Sequence, residues 1–333
     1  DYYIEGEGSL LTVAHLDSKA HATVSPPGLI DALDQATGLT YEIDPNAMAV
    51  GRGVNVVRRE KFPAERAIVQ SGSKVEVKSG NDLLYFDGSK PVAKRRVCGY
   101  PQQGVANYFA PWAIDPVTHD TYGYCVRTNT LLILHGTKLV AHLSLANRPR
   151  SIAFDRRRNL VYLQSYGHVV TVLHGTKRVG TVHVPAEQTI GTPVVDPSTG
   201  DVYLPGYNIV YVVHRTQYLG SVAAGPLLVV DPATHRVYAG GNGAQILLLK
   251  GAEVVGHVAT TADPAVYDPM DRAVLAATGT GLQVIHGAKV EQTVVIPRVT
   301  SASRIAVVPS RGLIVATNGA VVAVLRSSAG ASS

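Results

Sequence analysis

The apolar positions of this chain fall in short runs, such as Ser151-Ile152-Ala153-Phe154 and Leu131-Leu132-Ile133-Leu134, separated by segments rich in Asp, Pro, Thr, Gly and Asn. Runs of this length bounded by turn-forming residues predict short β-strands. The strands recur with a period. Val194-Val195-Asp196-Pro197-Ser198-Thr199-Gly200-Asp201-Val202-Tyr203 returns as Val229-Val230-Asp231-Pro232-Ala233-Thr234-His235-Arg236-Val237-Tyr238, with seven residues from Asp to Tyr in both. The same interval joins Asp34 to Tyr41, Asp115 to Tyr122 and Asp155 to Tyr162, and Asp268 to Leu275 keeps it with Leu in place of Tyr. Gln70 to Val77 and the shorter Pro309-to-Val315 segment are degenerate copies. The anchors at 34, 70, 115, 155, 196, 231, 268 and 309 stand 36, 45, 40, 41, 35, 37 and 41 residues apart. That is the spacing of a four-stranded propeller blade, roughly 40 residues.

Each copy has a physical reading. An apolar strand runs into Asp-Pro-x-Thr, where the Asp and Thr side chains can close a turn on the backbone and Pro presets its φ. A second strand follows, then a Gly/Asn-rich turn and a third strand. His135-Gly136-Thr137-Lys138 turns into the fourth, and this turn recurs at His174 to Lys177 and, altered, at His214 to Gln217 and His286 to Lys289. The predicted fold is therefore all-β: a single β-propeller over residues 1–333, of eight four-stranded blades, or seven if one degenerate copy is not a blade. N-terminal strands within 9–24 are expected to complete the last blade, begun at 304–325, and so close the ring and remove exposed edges. One strand is then in excess, because Val321 to Leu325 also reads as a third strand.

The Asp-Pro-x-Thr-x-x-Val-Tyr unit followed by an apolar strand resembles the YVTN family of β-propeller repeats, and is similar to the NHL and streptogramin-lyase-like propellers. The resemblance spans about residue 9 to residue 325. It implies the fold. Because the motif residues are turn and strand residues, it implies no single function: such families include binding proteins, sensor ectodomains, lectin-like modules, lyases and lactonases.

Composition narrows the class. With 46% hydrophobic and 17% charged residues, disorder is excluded for most of the chain. The net charge of +5 is dispersed, and the basic runs Lys94-Arg95-Arg96 and Arg156-Arg157-Arg158 lack the interleaved aromatics of a nucleic-acid track, so no nucleic-acid partner is expected. No apolar stretch of about 20 residues predicts a membrane span. The chain starts at Asp1, as a processed secretory protein or a trimmed chain would. Cys98 and Cys125 are consistent with one disulfide, hence an oxidising, extracellular or periplasmic-type compartment, with two buried free thiols as the alternative.

Strand alternation divides the turns between two faces. The Asp-Pro-x-Thr and His-Gly-Thr-Lys turns share one. The second-to-third-strand turns and the blade-to-blade connectors share the other, which varies in length and is where binding loops are expected. Its longest connector, 98–112, includes Tyr100, Asn107, Tyr108, Phe109 and Trp112, and a Cys98–Cys125 bond would staple it at this face. Those residues, with Tyr166, Tyr207 and Asn208, are the candidate ligand-binding residues: an aromatic platform for a sugar ring or a partner hot spot. The alternative for the aromatics is burial against blade edges. His168, Asn242, Arg150, Arg298 and Arg304 share the face as ordinary loop chemistry.

Catalytic and metal readings find little. His135, His174, His214 and His286 occupy one turn in different blades, too far apart to share an ion held at about 2 Å, and His119 and His235 repeat likewise. No Gly-x-Ser-x-Gly elbow or His-Glu-x-x-His is present, and Gly279-Thr280-Gly281 and Gly240-Gly241-Asn242-Gly243 lack the helix a phosphate site needs. Glu187, Asp263 and Asp82 are scattered carboxylates near the variable face. The expected function is a secreted, non-catalytic binding protein, lectin-like or protein-binding, acting through the face of the 98–112 connector on a carbohydrate or protein partner, without cofactor or metal. The alternatives are a lyase or lactonase with an axial site, and a docking subunit or ectodomain of a larger extracellular assembly.

Overall fold

A computed structural model describes residues 3–6, 10–15, 18–22, 30–33, 39–44, 47–52, 55–61, 66–71, 74–79, 82–87, 90–98, 109–115, 117–165, 168–185, 192–241, 245–260, 264–279, 281–295, 304–308, 313–317 and 322–326. Side-chain surroundings are described from residue 76 onward, within 76–77, 82–87, 90–98, 113–115, 117–165, 168–185, 192–241, 245–260, 264–279 and 281–295 and at 305, 307, 314 and 316.

Every described element is a β-strand. Strands β1 to β3 are Tyr3–Gly6, Leu10–His15 and Ser18–Ala22. Strands β4 to β7 are Ile30–Leu33, Leu39–Asp44, Ala47–Arg52 and Asn55–Lys61, and β8 to β11 are Arg66–Ser71, Lys74–Ser79, Asp82–Asp87 and Lys90–Arg96. Strands β12 to β15 are Phe109–Ile114, Asp120–Cys125, Thr130–His135 and Lys138–Ser144. Strands β16 to β19 are Pro149–Asp155, Leu160–Ser165, Val169–His174 and Lys177–His183, and β20 to β23 are Val194–Val195, Asp201–Pro205, Val210–His214 and Gln217–Val222. Strands β24 to β27 are Gly225–Asp231, Arg236–Gly240, Ile246–Lys250 and Glu253–Val258, and β28 to β31 are Ala265–Asp268, Ala273–Thr278, Gly281–His286 and Lys289–Val295. Strands β32 to β34 are Arg304–Val308, Leu313–Thr317 and Val322–Arg326.

Among the described residues seven sheets are four-stranded meanders, each in chain order from β4–β7 to β28–β31. An eighth has six strands in the order β3-β2-β1-β34-β33-β32. The excess strand noted in the sequence is thus kept rather than displaced. Residues 322–326 hold the third position of that sheet, and β1 pairs beside them, with Ile4 opposite Ala323. This sheet therefore departs from the four strands expected of every blade.

Adjacent sheets pack face to face, and the repeat decides which residue does what. In four consecutive sheets the Tyr seven residues after the Asp (Tyr122, Tyr162, Tyr203 and Tyr238) looks toward the following sheet, and the neighbours of Tyr162, Tyr203 and Tyr238 look back toward the preceding one. Tyr162 packs with Val202, Leu204 and Tyr211 of the next sheet, whereas Val161 and Leu163 pack with Tyr122, Leu131 and Ile133 of the previous one. Tyr203 faces Val237 and Leu249, and Tyr238 faces Val274 and Ile285. Tyr122, Tyr162, Tyr203 and Tyr238 are at most 1% exposed. Burying residues of this size supplies most of the cohesion between sheets.

The hydroxyls of Tyr203 and Tyr238 find partners in the next sheet. Gly251 N–H donates to Tyr203 Oη at 2.8 Å, and Tyr238 Oη donates to Gly287 carbonyl at 3.0 Å, both in the third-to-fourth-strand turn. In the degenerate copy where Val77 stands at the Tyr position, Tyr85 of the neighbouring strand β10 makes the equivalent link to Gly136 at 2.6 Å. A small residue on the outermost strand completes the seam. A Cβ on Gly180 would lie 2.4 Å from Thr216 Cγ2, and one on Gly220 would lie 3.1 Å from Ala252 Cβ, so the next turn closes directly over these glycines.

The Asp turns are built as the sequence suggests, with one addition. Asp196 accepts from Ser198 N–H at 2.9 Å, from the Ser198 hydroxyl at 2.6 Å and from the Thr199 hydroxyl at 3.0 Å. Asp231 accepts from Ala233 N–H at 2.9 Å and the Thr234 hydroxyl at 2.6 Å. The fourth residue after each Asp has positive φ: His119 at 60°, Asn159 at 52°, Gly200 at 80°, His235 at 57° and Arg272 at 53°. The recurrence of Gly, Asn and His there is a left-handed turn requirement.

One copy is incomplete. In Asp268-Pro269-Met270-Asp271 the residue that is Thr in the regular copies is Asp. Asp268 is fully buried and accepts from Met270 N–H at 2.9 Å, but its Oδ2 has no hydrogen-bond partner. Burial pushes the Asp268 carboxyl above its ordinary value and the neighbouring Asp271 charge adds to that, despite the Met270 bond. At Asp196 burial acts the same way, but the Ser198 and Thr199 bonds and the nearby His235 outweigh it and hold the carboxyl below its ordinary value.

Asp271→Thr should therefore stabilise the protein by about 1 kcal/mol at neutral pH. A raised folded pKa means that Asp268 stabilises in acid and loses that contribution as pH rises through its folded pKa, so the gain should shrink toward pH 4 and below in urea melts across that range. At the alkaline end, burial is the first cause of the tyrosine shifts and pushes Tyr162, Tyr203 and Tyr238 up to about 12. Their folded pKa lies above the ordinary value of about 10, so stability is intact below pH 10 and falls as pH climbs toward 12. Tyrosinate absorbance and loss of the β circular-dichroism signal should then rise together, and Tyr203→Phe should lower stability by about 1–2 kcal/mol by stranding the Gly251 N–H.

Candidate ligand-binding face

The antiparallel order puts the Asp turns and the His-Gly-Thr-Lys turns at one end of every four-stranded sheet: Asp120 pairs across from His135, and Asp201 from His214. At this end polar groups are committed to their own turns or to the adjoining sheet. Asp115, Asp155, Asp196, Asp231 and Asp268 are buried in their turns. His135 Nδ1 sits 2.8 Å from Asp120 and His214 Nδ1 3.0 Å from Asp201, each within a single sheet. Among the described residues no group of three His, Cys, Asp or Glu side chains gathers as a metal site would require. The basic runs are largely absorbed too. Arg158 bonds Asp155 at 3.1 Å and the Ser198 carbonyl at 3.0 Å, and Lys94 and Arg96 pair with Asp82 at 2.8 and 3.1 Å.

The opposite end carries the connectors. Its firmest feature is the Cys98–Cys125 disulfide, with S–S 2.06 Å and Cα–Cα 5.9 Å. Cys98 follows the outermost strand β11, and Cys125 ends β13, the second strand of the next sheet. Both are buried, against Leu83, Tyr85, Leu132 and Leu134. The bond joins two consecutive sheets and brackets the connector between them. That connector is shorter than its expected 98–112 bounds, because β12 begins at Phe109. Phe109 pairs across from Cys125, and Trp112 lies at a β-bulge between the Pro111 and Ala113 pairs. Phe109 and Trp112 are thus strand positions, and Tyr100, Asn107, Tyr108 and Tyr166 lie outside the described residues.

Tyr207 and Asn208 are fully described. They form the tip of a tight turn between β21 and β22, closed by Gly206 N–H to Ile209 carbonyl at 2.7 Å. Tyr207 is 72% exposed, the most exposed of the described large apolar side chains, and Asn208 is exposed beside it. Asn208 carbonyl also accepts from Ala224 N–H at 3.2 Å, tying the turn to the following connector. The same tie recurs from Leu145 to Asn129 at 2.9 Å and from Val184 to His168 at 2.9 Å. The turns at Asn129 and Asn208 are therefore anchored while Arg127, Thr128, Tyr207 and Asn208 stay in solvent.

Of the scattered carboxylates, Glu187 and Asp263 lie outside the described residues. Burial pushes the Asp82 carboxyl up, but Arg96 and Lys94 outweigh it and hold it below the ordinary value, which suits an ion-pair anchor rather than a proton donor. Gly240 and Gly241 turn through a Gly241 N–H to Gln245 bond at 2.9 Å, as turn glycines do. The sequence reading passed over Arg127 and Arg148. Both are exposed on this face with Arg150. Tallying charge turn by turn, rather than by runs of adjacent basic residues, reveals them.

The crystal structure of BamB from Moraxella catarrhalis is similar to this chain, with a TM-score of 0.61 over 95% of this chain and 99% of that one, at 11% identity. At that identity the likeness concerns the fold, and with the sheet order above it makes the chain a β-propeller. No family model matches the chain, and no curated protein matches it. No described helix is long and apolar enough to cross a membrane, and the disulfide fits an oxidising compartment.

The disulfide closes a loop of 27 residues in sequence separation, for which chain entropy implies about 3–4 kcal/mol. Cys98→Ser with Cys125→Ser should lower the urea midpoint accordingly while leaving the far-UV spectrum unchanged at low denaturant.

Proposed function

We propose that this chain is a secreted, non-catalytic binding protein whose ligand, a carbohydrate or another protein, docks on the connector face. We take it as one eight-bladed ring of YVTN/NHL-like repeats over residues 1–333, joined end to end through β1 and β34. The chain-order packing of consecutive sheets and the register of Ile4 with Ala323 support that closure. The observation that carries the binding role is the contrast between the two ends. At one end the buried carboxylates are spent on closing turns. At the other, Tyr207 stands 72% exposed on a rigid turn with Asn208 beside it. An exposed aromatic on an anchored tip loses little entropy on binding, which is the property of a recognition hot spot.

A second reading has its own support. The outermost strands carry exposed Val92, Val140, Val179, Leu219 and Val255 on five consecutive sheets. An apolar rim of this kind suits a docking subunit of a larger extracellular assembly.

A glycan array and a pull-down from culture fluid test the binding role. Tyr207→Ala and Trp112→Ala should weaken the captured ligand roughly tenfold or more, and Thr176→Ala in the opposite turn should not. Natively folded protein that captures no ligand by either route would rule the reading out. Size-exclusion chromatography of the native secreted material separates the two readings, since a docking subunit elutes with its assembly.

A further inference from the structure

The connector face carries a charge bias that the whole-chain total conceals. From residue 97 to residue 246, its connectors, its second-to-third-strand turns and the first residues of the inner strands contain Arg127, Arg148 and Arg150 against one carboxylate, Glu187. All three arginines are exposed. Arg127 lies in the β13–β14 turn, two residues past the disulfide and two before Asn129. Arg148 ends the connector into β16 and lies close enough to Tyr124 to act on its hydroxyl, which itself donates to Asn129 Oδ1. The Leu145 N–H to Asn129 carbonyl bond holds that connector against that turn. Arg150 falls at a β-bulge, where the register steps from Pro149–Ser165 to Ser151–Gln164. A bulge takes a residue out of the ladder and re-aims its side chain.

Tyr207 and Asn208 lie on the same face, one sheet further on. The arginines and this aromatic turn therefore span three consecutive sheets. We infer that this strip, Arg127, Arg148 and Arg150 with Asn129, Tyr207 and Asn208, binds an extended anionic polysaccharide bearing carboxylate or sulfate groups. The inference rests on the binding role proposed above and names its ligand class. Guanidinium groups match carboxylate and sulfate oxygens in a fork geometry, exposed amides match sugar hydroxyls, and an aromatic ring accepts the apolar face of a sugar. An acidic protein partner fits less well. Protein interfaces have a desolvated apolar centre, and along this strip Tyr207 is the one large apolar side chain among the described exposed residues.

Isothermal titration with polygalacturonate, dextran sulfate, neutral dextran and poly-glutamate tests the inference. One or both anionic polysaccharides should bind with an affinity that falls as salt rises, while neutral dextran does not bind and poly-glutamate binds more weakly. Arg127→Ala with Arg148→Ala and Arg150→Ala should cost at least roughly tenfold and flatten the salt dependence, and Tyr207→Ala should weaken binding without changing it. Arg156→Ala with Arg157→Ala, on the opposite face, should leave affinity unchanged. Thermal melts identify any variant that fails to fold, and single Arg→Gln variants then replace the triple. The inference is overturned if neither anionic polysaccharide binds, if binding is indifferent to the three arginines, or if poly-glutamate binds more tightly. Capture of a neutral glycan or a protein through Tyr207 alone would overturn the anionic strip and leave the binding role standing.

Discussion

A four-stranded sheet has two faces, and here the second and third strands are apolar on both. No single sheet can bury them, so each must be covered by the one before and the one after. Tyr162 turned forward and Val161 and Leu163 turned back show how one strand serves two interfaces at once. This face-to-face burial is the condition for everything else. It fixes the order of the sheets, places every turn at one of two ends, and makes the hydroxyl of a core tyrosine available to the turn of the next sheet. A polar group at that depth needs a partner, and Tyr203 with Gly251 and Tyr238 with Gly287 supply it.

The two ends have consequently diverged. The end with the Asp turns is stereotyped because its geometry is demanding: a buried carboxylate must receive several donors, and the fourth residue must tolerate positive φ. Where the pattern lapses, as at Asp268 with Asp271 replacing Thr, the carboxyl is left partly unmatched. The other end is released from that demand. Its turns are held by backbone bonds rather than by buried carboxylates, so their tips can vary; Tyr207, Asn208 and Arg127 occupy such tips, and Arg148 a connector beside them.

The electrostatics follow the same division. The chain-wide +5 includes described residues with structural duties, such as Arg158 with Asp155 or Lys94 and Arg96 with Asp82. What matters for the proposed ligand is the local balance at one end of a few consecutive sheets, where Arg127, Arg148 and Arg150 are exposed.

By itself the sequence determined the strand-turn repeat, the seven-residue interval from Asp to Tyr, the sorting of turns onto two faces and the cysteine pair. These are local properties, set by which backbone conformations Asp, Pro, Gly and Thr favour and by the alternation of a strand. Tertiary structure alone decided which side of the second strand faces forward, why Gly180 and Gly220 must be small, and that Phe109 and Trp112 belong to a strand rather than a loop. It also decided that 322–326 stays in a six-stranded sheet beside β1, and that Arg127, Arg148 and Arg150 share a face with Tyr207. Each of these depends on pairing or packing between residues distant in the sequence, from Phe109 with Cys125 to Ile4 with Ala323. A linear pattern records the period of such contacts but not the pairs that make them.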